Sequence, residues 1–337
     1  MQRLARKTAE RASGEAAVGQ RWPRVAIVVL NWNGREVLED CLRSIYSLSY
    51  LSLEVIVVDN GSRDGSVGMV QNRFPQCVLI QNEENLGFAK GNNQGIVLAL
   101  ERGNEYVMAL NNDAVLHPEA LTWLVQRAES DPRIAAVSPK IYFSDPPDRL
   151  WFAGGTFSNW KGRNGHVGYR QKDCPAWNVP GEAQFVSGCV LLASRRAWQE
   201  VGGFDESLFA YGEDLDWSLR AQRLEFKLFY EPRAVVWHRE SFSTLRNGCQ
   251  STYLYYVTRN SLAVMWRQGR WWHRLTSLPY HSALSCKRVL QALSKRDWPS
   301  IVKIVQGFRD FPALARQAKS RQPTKVVSRI ALGSHTK

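Results

Sequence analysis

The chain has 337 residues, 44% hydrophobic and 22% charged, which are the proportions of a globular protein and exclude a disordered or fibrous one. Its formal net charge of +13 is uneven, with +4 in residues 1–24, −5 in 25–250 and +14 in 251–337. A mildly acidic body with basic ends excludes a protein sheathed in nucleic acid over its whole surface. It fits a body that does chemistry and an extension that docks on something anionic.

The basic start has no apolar stretch before Pro23, so no ordinary secretory signal is expected. No apolar run reaches 18 residues, so no membrane-spanning helix is expected either. Six cysteines, at 41, 77, 174, 189, 249 and 286, form no CxxC pair and read as reduced thiols in a cytosolic setting.

Residues 1–23 read as a basic, flexible segment, with folding starting at Arg24. Val25–Leu30 is a continuous apolar, β-branched run, the pattern of a buried strand. Asn33 and Glu36 are spaced as a capping box for a helix over 34–48. Leu53–Val58 is a second buried strand ending at Asp59, followed by a short helix at Asp64–Arg73 and a strand at Cys77–Gln81. A helix over Gly87–Leu100, a strand at Tyr106–Leu110, a helix over 118–130 with Pro118 in its first turn, and a strand at Ile134–Ser138 come next. This βαβ series predicts an α/β fold with a mostly parallel, doubly wound sheet.

The pattern weakens over 140–182 into hairpins or loops. A strand at Gln184–Leu192, helices at Arg195–Val201 and Glu213–Arg223, and strands at Phe226–Tyr230 and Ala234–Trp237 complete a body ending near 245. A basic helical region follows over 246–317, with helices at 251–267, 283–293 and 299–309, then a loose basic tail over 318–337. No internal repeat is present.

Polar residues gather where strands end: Asn31 and Asn33, Asp59 and Asn60, and Asn111, Asn112 and Asp113. Open α/β sheets bind ligands at the carboxyl ends of their strands, so these clusters are expected to line one crevice. Asp59, in VIVVDNGSRDGS, can accept hydrogen bonds from a ribose or base, or simply make a turn. Asp113 has the hard oxygen chemistry for a divalent cation bridging phosphates, or an Asx turn. Glu213, Asp214 and Asp216 open a helix whose dipole favours their ionised forms; they fit either a general base or helix capping. His238, at a strand end, is either a ligand that with Asp113 would suit Mn²⁺ or Mg²⁺, or a structural histidine. In ENLGFAKGNNQG, Asn85, Gly87 and Lys90 enter a helix whose N-terminus can face phosphate.

Taken in order, VVLNWNG at 28–34, VIVVDNGSRDGS at 55–66, NEENLGFAKGNNQG at 82–95, ALNNDAVL at 109–116, the long stretch at 185–222 and WH at 237–238 resemble the family 2 glycosyltransferases. The nearest likeness is to the rhamnosyltransferase-like subgroup, over about residues 25–245. The resemblance implies a GT-A fold and inverting transfer from a dTDP- or UDP-sugar, for instance dTDP-L-rhamnose, to a lipid-linked or polysaccharide acceptor. It implies that Leu30, Asn31 and Asp59 hold the donor nucleoside, and that Asp113 stands at the second acid of a DxD motif, with Asn111 replacing the first. It further implies Asp214 as the base, His238 as a metal ligand, and Gly188, Gly202, Gly203 and Phe204 along the acceptor side, with Trp217 available to stack on a sugar. A sugar nucleotidyltransferase is the competing enzyme class, but NWNGRE at 31–36 lacks the Gly-rich basic loop it needs. An inactive polysaccharide-binding scaffold is the competing non-enzyme reading.

The basic end carries Trp266, Trp271, Trp272 and Trp298, and MWRQGRWWHRL at 265–275 mixes indoles with arginines. That composition suits the headgroup layer of an anionic membrane, so peripheral attachment at the inner face of the cell membrane is expected. No compact recognition motif points to nucleic acid. The oligomeric state is left open.

Overall fold

A computed structural model of the chain describes residues 22–239 and 250–317. The expected flexible start and the basic tail over 318–337 lie outside the described residues, except that Trp22 and Pro23 already pack. Trp22 meets Tyr50 edge-on at 4.8 Å, and the Tyr50 hydroxyl donates to the Pro23 carbonyl at 2.7 Å, so ordered structure begins before Arg24.

The first half alternates strand and helix: β1 (Val25–Asn31), α1 (Arg35–Tyr46), β2 (Leu53–Asp59), α2 (Ser66–Arg73), β3 (Val78–Gln81), α3 (Phe88–Glu101) and β4 (Tyr106–Asn111). The start of α1 is not a capping box: Asn33 sits at φ 50° and Gly34 is the N-cap. The free amide of Arg35 is instead satisfied by Asp64 Oδ2 at 2.8 Å, while Asn33 Oδ1 accepts from the Arg63 amide at 2.8 Å. A tertiary cap has replaced the local one.

After β4 the chain forms β5 (Ala114–Leu116), α4 (Ala120–Glu129) and a ten-residue β6 (Ile134–Phe143), twice the expected strand. Pro118 precedes α4 rather than entering its first turn. Short strands β7 (Leu150–Phe152), β8 (Gly155–Ser158), β9 (Arg163–His166) and β10 (Gly181–Glu182) fill the region of weak pattern. Then come β11 (Val190–Ser194), α5 (Arg195–Val201), α6 (Glu213–Arg223) and β12 (Lys227–His238). Residues 184–189 are not strand, and the two expected strands after α6 are one, with a register shift between Glu231 and Val235 where Pro232 interrupts the ladder. Helices α7 (Gln250–Gln268), α8 (Trp271–Ser294) and α9 (Trp298–Gln317) follow.

The main sheet runs β10-β12-β6-β11-β4-β1-β2-β3, with β5 beside β12 and β7 beside β6. Pairing is parallel from β3 to β4 and between β6 and β12; β11 is inserted antiparallel between β4 and β6. Side chains of β1 alternate between two cores: Val25, Ile27 and Val29 face α1 and α4, Ala26 and Val28 face α3 and α5. Burial on both faces explains why β1 is a continuous apolar run. The chain leaves β1 for β2 on one side and returns as β4 on the other, so the sheet's switch point lies between β1 and β4.

Candidate active site

Strand register sets the floor of the crevice. Asn31 pairs with Asp59, and Leu30 with Asn111. Asn31 is fully buried and acts as the hub: its Nδ2 donates to Asp59 Oδ2 at 3.0 Å and to Ser62 Oγ at 3.2 Å, and its Oδ1 accepts from Asn112 Nδ2 at 2.7 Å. Asp59 Oδ1 accepts from the Ser62 amide at 2.8 Å, and Ser62 Oγ accepts from the Asn33 amide at 2.8 Å. Asp59 is only 2% exposed, and both its oxygens brace this loop. Asn60 extends the network, donating to the Gly87 carbonyl at 3.0 Å and accepting from Asn82 at 2.9 Å. Asn85 Oδ1 caps the Gly87 amide at 2.9 Å. Leu30 lies where a side chain on Gly91 would collide with it, and Lys90 is exposed on the first turn of α3.

Asp113 and His238 meet through a pairing that spacing alone does not reveal. Ala114 of β5 is opposite His238 of β12, which sets His238 Nε2 3.1 Å from Asp113 Oδ1. Both side chains are buried, and this contact lacks the alignment of a hydrogen bond, leaving Asp113 Oδ1 without a partner of that kind. Asn111 Oδ1 and His238 Nδ1 are buried and equally unpartnered. Burial alone would lower the His238 pKa, but Cys189 and the Asp113 carboxylate prevail and hold it well above the usual imidazole value. The Asp113 carboxylate and the His238 imidazole, 3.1 Å apart, are an oxygen and a nitrogen donor that a hard divalent cation would take in place of the imidazole proton. Among the described residues no group of three or more His, Cys, Asp or Glu could hold a metal ion, so an ion at this pair would need further donors from outside the protein.

Asp214 opens α6 behind the left-handed Gly212. Its Oδ2 accepts from the Gly188 amide at 2.9 Å and its Oδ1 from the Leu215 amide at 2.7 Å. Burial raises its pKa, and those two amides only partly oppose the shift. Glu213 is 6% exposed, with Oε2 unpartnered, and burial together with Asp214 and Asp216 pushes its carboxyl well above the usual range. Glu213 therefore keeps its proton first, while the half-buried Asp214 remains reachable. Asp216 is structural, bound to Arg220 at 2.8 Å and Gln268 at 2.7 Å. The Gly188–Cys189 turn joins the two halves: Gly188 holds Asp214, the Cys189 carbonyl accepts from the Asn111 amide at 2.9 Å, and the Cys189 thiol senses the charges of His238, Asp113 and Asp214.

Of the four residues expected along the acceptor side, Gly188 alone touches the acid. Trp217 is a correction: it is fully buried against Trp198, its indole donates to the Gly202 carbonyl at 2.8 Å, and it has no face to offer a sugar. Phe204 is buried too, its amide donating to Asn93 Oδ1 at 2.9 Å, and Gly203 lies so close to that amide side chain that a Cβ would stand 2.6 Å from Oδ1. Gly203 and Phe204 shape the wall from behind.

Sequence reading missed Ser62, Asn93 and, above all, Asn260. Asn260 lies on α7 and donates to the carbonyls of Leu208, Ala210 and Tyr211 at 2.9, 2.8 and 2.8 Å. That turn ends at Gly212 and contains Phe209 and Tyr211 at positive φ. Phe209 also accepts from the Ala89 amide at 3.1 Å and fills the space beside Gly87, φ 86°, where a Cβ would approach to 2.6 Å. An asparagine within an apolar-periodic helix is the one sequence signal that could have marked it.

Residues 23–264 match the family described as "Glycosyltransferase like family 2". The chain is 28% identical to the N-acetylglucosaminyl-diphospho-decaprenol L-rhamnosyltransferase of Mycobacterium tuberculosis, over 83% of this chain and 97% of that protein. It is 25% identical to the poly-beta-1,6-N-acetyl-D-glucosamine synthase of Staphylococcus epidermidis, over 63% of this chain and 49% of that protein. Among solved structures it is similar to the mannosyltransferase PcManGT from Pyrobaculum calidifontis in complex with GDP-Man and Mn²⁺, with a TM-score of 0.54 at 18% identity over 92% and 94% of the two chains. GalNAc-T7 with UDP, GalNAc and Mn²⁺ aligns with a TM-score of 0.57 at 17% identity, over 90% of this chain and 59% of that one.

Proposed function

The chain belongs to the family 2 glycosyltransferases, and we propose that it is an inverting enzyme moving a sugar from a nucleoside diphosphate donor, L-rhamnose from dTDP-rhamnose being the first candidate, to a hydroxyl of a lipid-linked or polysaccharide acceptor. The rhamnosyl donor and lipid-linked acceptor are favoured by the mycobacterial relative, which aligns over nearly its whole length. The observation that carries the mechanism is the unbroken run of contacts from Asp59 through Asn31, Asn112 and Asn111 to the Gly188–Cys189 turn and Asp214.

In this reading the Asn31–Asp59 floor takes the nucleoside. Asp113 and His238 would hold Mg²⁺ or Mn²⁺, which would supply positive charge to offset that of the departing diphosphate. Two amides orient the Asp214 carboxylate while burial keeps it basic enough to take a proton. The acceptor hydroxyl gives its proton to Asp214, its oxygen forms a bond to the anomeric carbon, and the bond from that carbon to the nucleoside diphosphate breaks on the opposite face. Configuration inverts. Holding the reactants in line is the site's main contribution.

The test is a panel of nucleotide sugars with and without Mn²⁺ or Mg²⁺, read by thermal shift and by release of nucleoside diphosphate. A donor at about 100 times its Kd stabilises the folded state by about 2.7 kcal/mol. Asp214→Asn is expected to keep the thermal shift and to lose turnover by about 10³-fold or more. Turnover retained in Asp214→Asn removes the base; no shift with any nucleotide sugar removes the donor site.

A further inference from the structure

Helix α8 is built inside out. Its buried positions are Ser277, His281, Ser285 and Ala292, whereas Trp271, Leu275, Leu290 and Leu293 are exposed, the two middle leucines 67% each. At 100° per residue those four exposed side chains fall within an arc of about 100°. The inward polar groups have partners: His281 Nε2 lies 3.1 Å from the Gly162 carbonyl and Ser277 Oγ donates to the His273 carbonyl at 2.6 Å. No aspartate or glutamate occurs anywhere in α8. Across the next turn, α9 exposes Trp298 at 63%, with Val302 and Val305 on the same face.

A soluble helix turns its leucines inward, so an inverted helix has an apolar medium, not water, on its outer side. Exposed cations border this surface: Arg270, Lys287, Lys295, Arg296 and Arg309. Residues 251–337 hold 16 basic side chains against 2 acidic ones. A second copy of this chain would bring two such basic faces together and be repelled. Nucleic acid would match the cations but not the leucines and valines. A bilayer with anionic headgroups matches both, the leucines and indoles entering the interface and the cations meeting phosphates. Among the described residues no helix is long and apolar enough to cross a membrane, so α8 and the start of α9 would lie along it.

We propose that the outer face of α8 together with Trp298, Val302 and Val305 of α9 is an in-plane docking surface for an anionic lipid bilayer. This surface differs from the 265–275 segment that composition singled out: Met265 is buried and Trp266 and Trp272 are partly covered, so that segment supplies only Trp271 and Leu275. Leu290, Leu293, Val302 and Val305 supply the rest.

The experiment is flotation of the full chain with vesicles of phosphatidylglycerol and phosphatidylcholine, and with phosphatidylcholine alone, over a salt series. The wild type is expected to float with the anionic vesicles and far less with the neutral ones. Leu290→Gln/Leu293→Gln/Trp298→Gln/Val302→Gln is expected to bind at least about tenfold more weakly at every salt concentration, because each change removes apolar contact with the interface. Its melting temperature should match the wild type, since the replaced side chains are already exposed. Lys295→Gln/Arg296→Gln should weaken binding chiefly at low salt. Wild type that fails to float, a fourfold variant that floats as well as wild type, or a wild-type dimer that the variant converts to monomer without any lipid binding would each overturn the proposal. Vesicle binding is read without turnover, so its failure would leave the sugar-transfer reading standing.

Discussion

Replacing Asn260 by alanine tests whether α7 sets the acid in place. Asn260 is 0% exposed, and its amide group meets three backbone carbonyls of the turn before Gly212. Phe209 at φ 66°, ψ −64° and Tyr211 at φ 69° are non-glycine residues at positive φ, each costing about 1–3 kcal/mol. The turn is therefore held in a shape it would not choose alone. The amide nitrogen has two hydrogens for three carbonyls, so alanine removes the equivalent of two hydrogen bonds of about 1 kcal/mol each and leaves buried carbonyls short of a donor. Arg259 still donates to the Ser207 and Leu208 carbonyls, at 3.2 and 3.0 Å, so the turn loosens rather than unfolds. The expected destabilisation is about 2–4 kcal/mol by urea unfolding. Asp214 stands two residues beyond Gly212, and a misplacement of about 1 Å costs about 10²-fold in rate. Turnover number should fall about 10- to 100-fold and more than donor affinity does, because Asn31 and Asp59 are reached from this turn only through Phe209, Gly87 and Asn60. Asn260→Asp, which points acceptors at acceptors, should be worse on both counts. A variant that unfolds earlier in urea yet keeps its full kcat would refute the link between clamp and acid.

Glu213→Gln should stabilise the protein near neutral pH. The native carboxyl is raised well above 4.5, so over the window from that value up to its folded pKa the folded state holds a proton that the unfolded chain has released. Stability then falls as pH rises through the window, by about 1.4 kcal/mol per unit of separation, and the glutamine variant should show a flatter curve in urea melts at several pH values. An unchanged slope would show that Glu213 ionises normally. The raised Asp214 pKa should place the acid limb of the kcat/KM profile above the ordinary aspartate value of 3.8; a limb at or below it would point to another base. Gly34→Ala would set a Cβ 2.2 Å from Asn112 Nδ2 and 2.8 Å from Asn31 Oδ1, so it should break their hydrogen bond. The thermal shift with donor is expected to shrink while the unfolding free energy from urea melts falls by about 1–3 kcal/mol at most; an intact shift would remove the Asn31–Asn112 pair from donor binding.

The strand-end cluster proposed for the nucleotide was legible as a cluster in the sequence because its residues terminate long buried strands. Val25–Asn31, Leu53–Asp59 and Tyr106–Asn111 are apolar runs with polar ends, and parallel register brings those ends together without further instruction. The Asp113–His238 pair was guessable by chemistry but not by spacing. It depends on β5, three residues long, finding β12 far along the chain. Trp217 misled because it follows an acidic cluster. One helical turn separates it from the buried Glu213, so both point inward, and its indole is used to fasten Gly202. Helix α8 was read only in its second half, since Pro279 interrupts it and its apolar side faces outward. A pattern search keyed to inward leucines has no means of orienting such a helix.

The two halves of the site rest on different parts of the chain. The groups proposed to hold the donor, Asn31, Asp59 and Asn112, hang on strand ends inside the α/β body and bond to one another. Asp214 depends on a turn held from outside that body, by Asn260 and Arg259 of α7 and by Arg267, which pairs with Asp205 at 2.5 Å and also reaches a carbonyl of α9. Helix α9 packs along α7 and exposes the Trp298 face. A surface acting on α8 and α9 thus reaches Asp214 through α7 and this turn, and the same turn touches the Gly87 loop through Phe209. If the two halves were mechanically equivalent, substitutions in α7 would weaken donor binding as much as turnover. Asp214 lies two residues past Gly212 at the end of that turn, whereas Asn31 and Asp59 lie beyond Phe209, Gly87 and Asn60, so substitutions in α7 are expected to lower turnover more than donor binding.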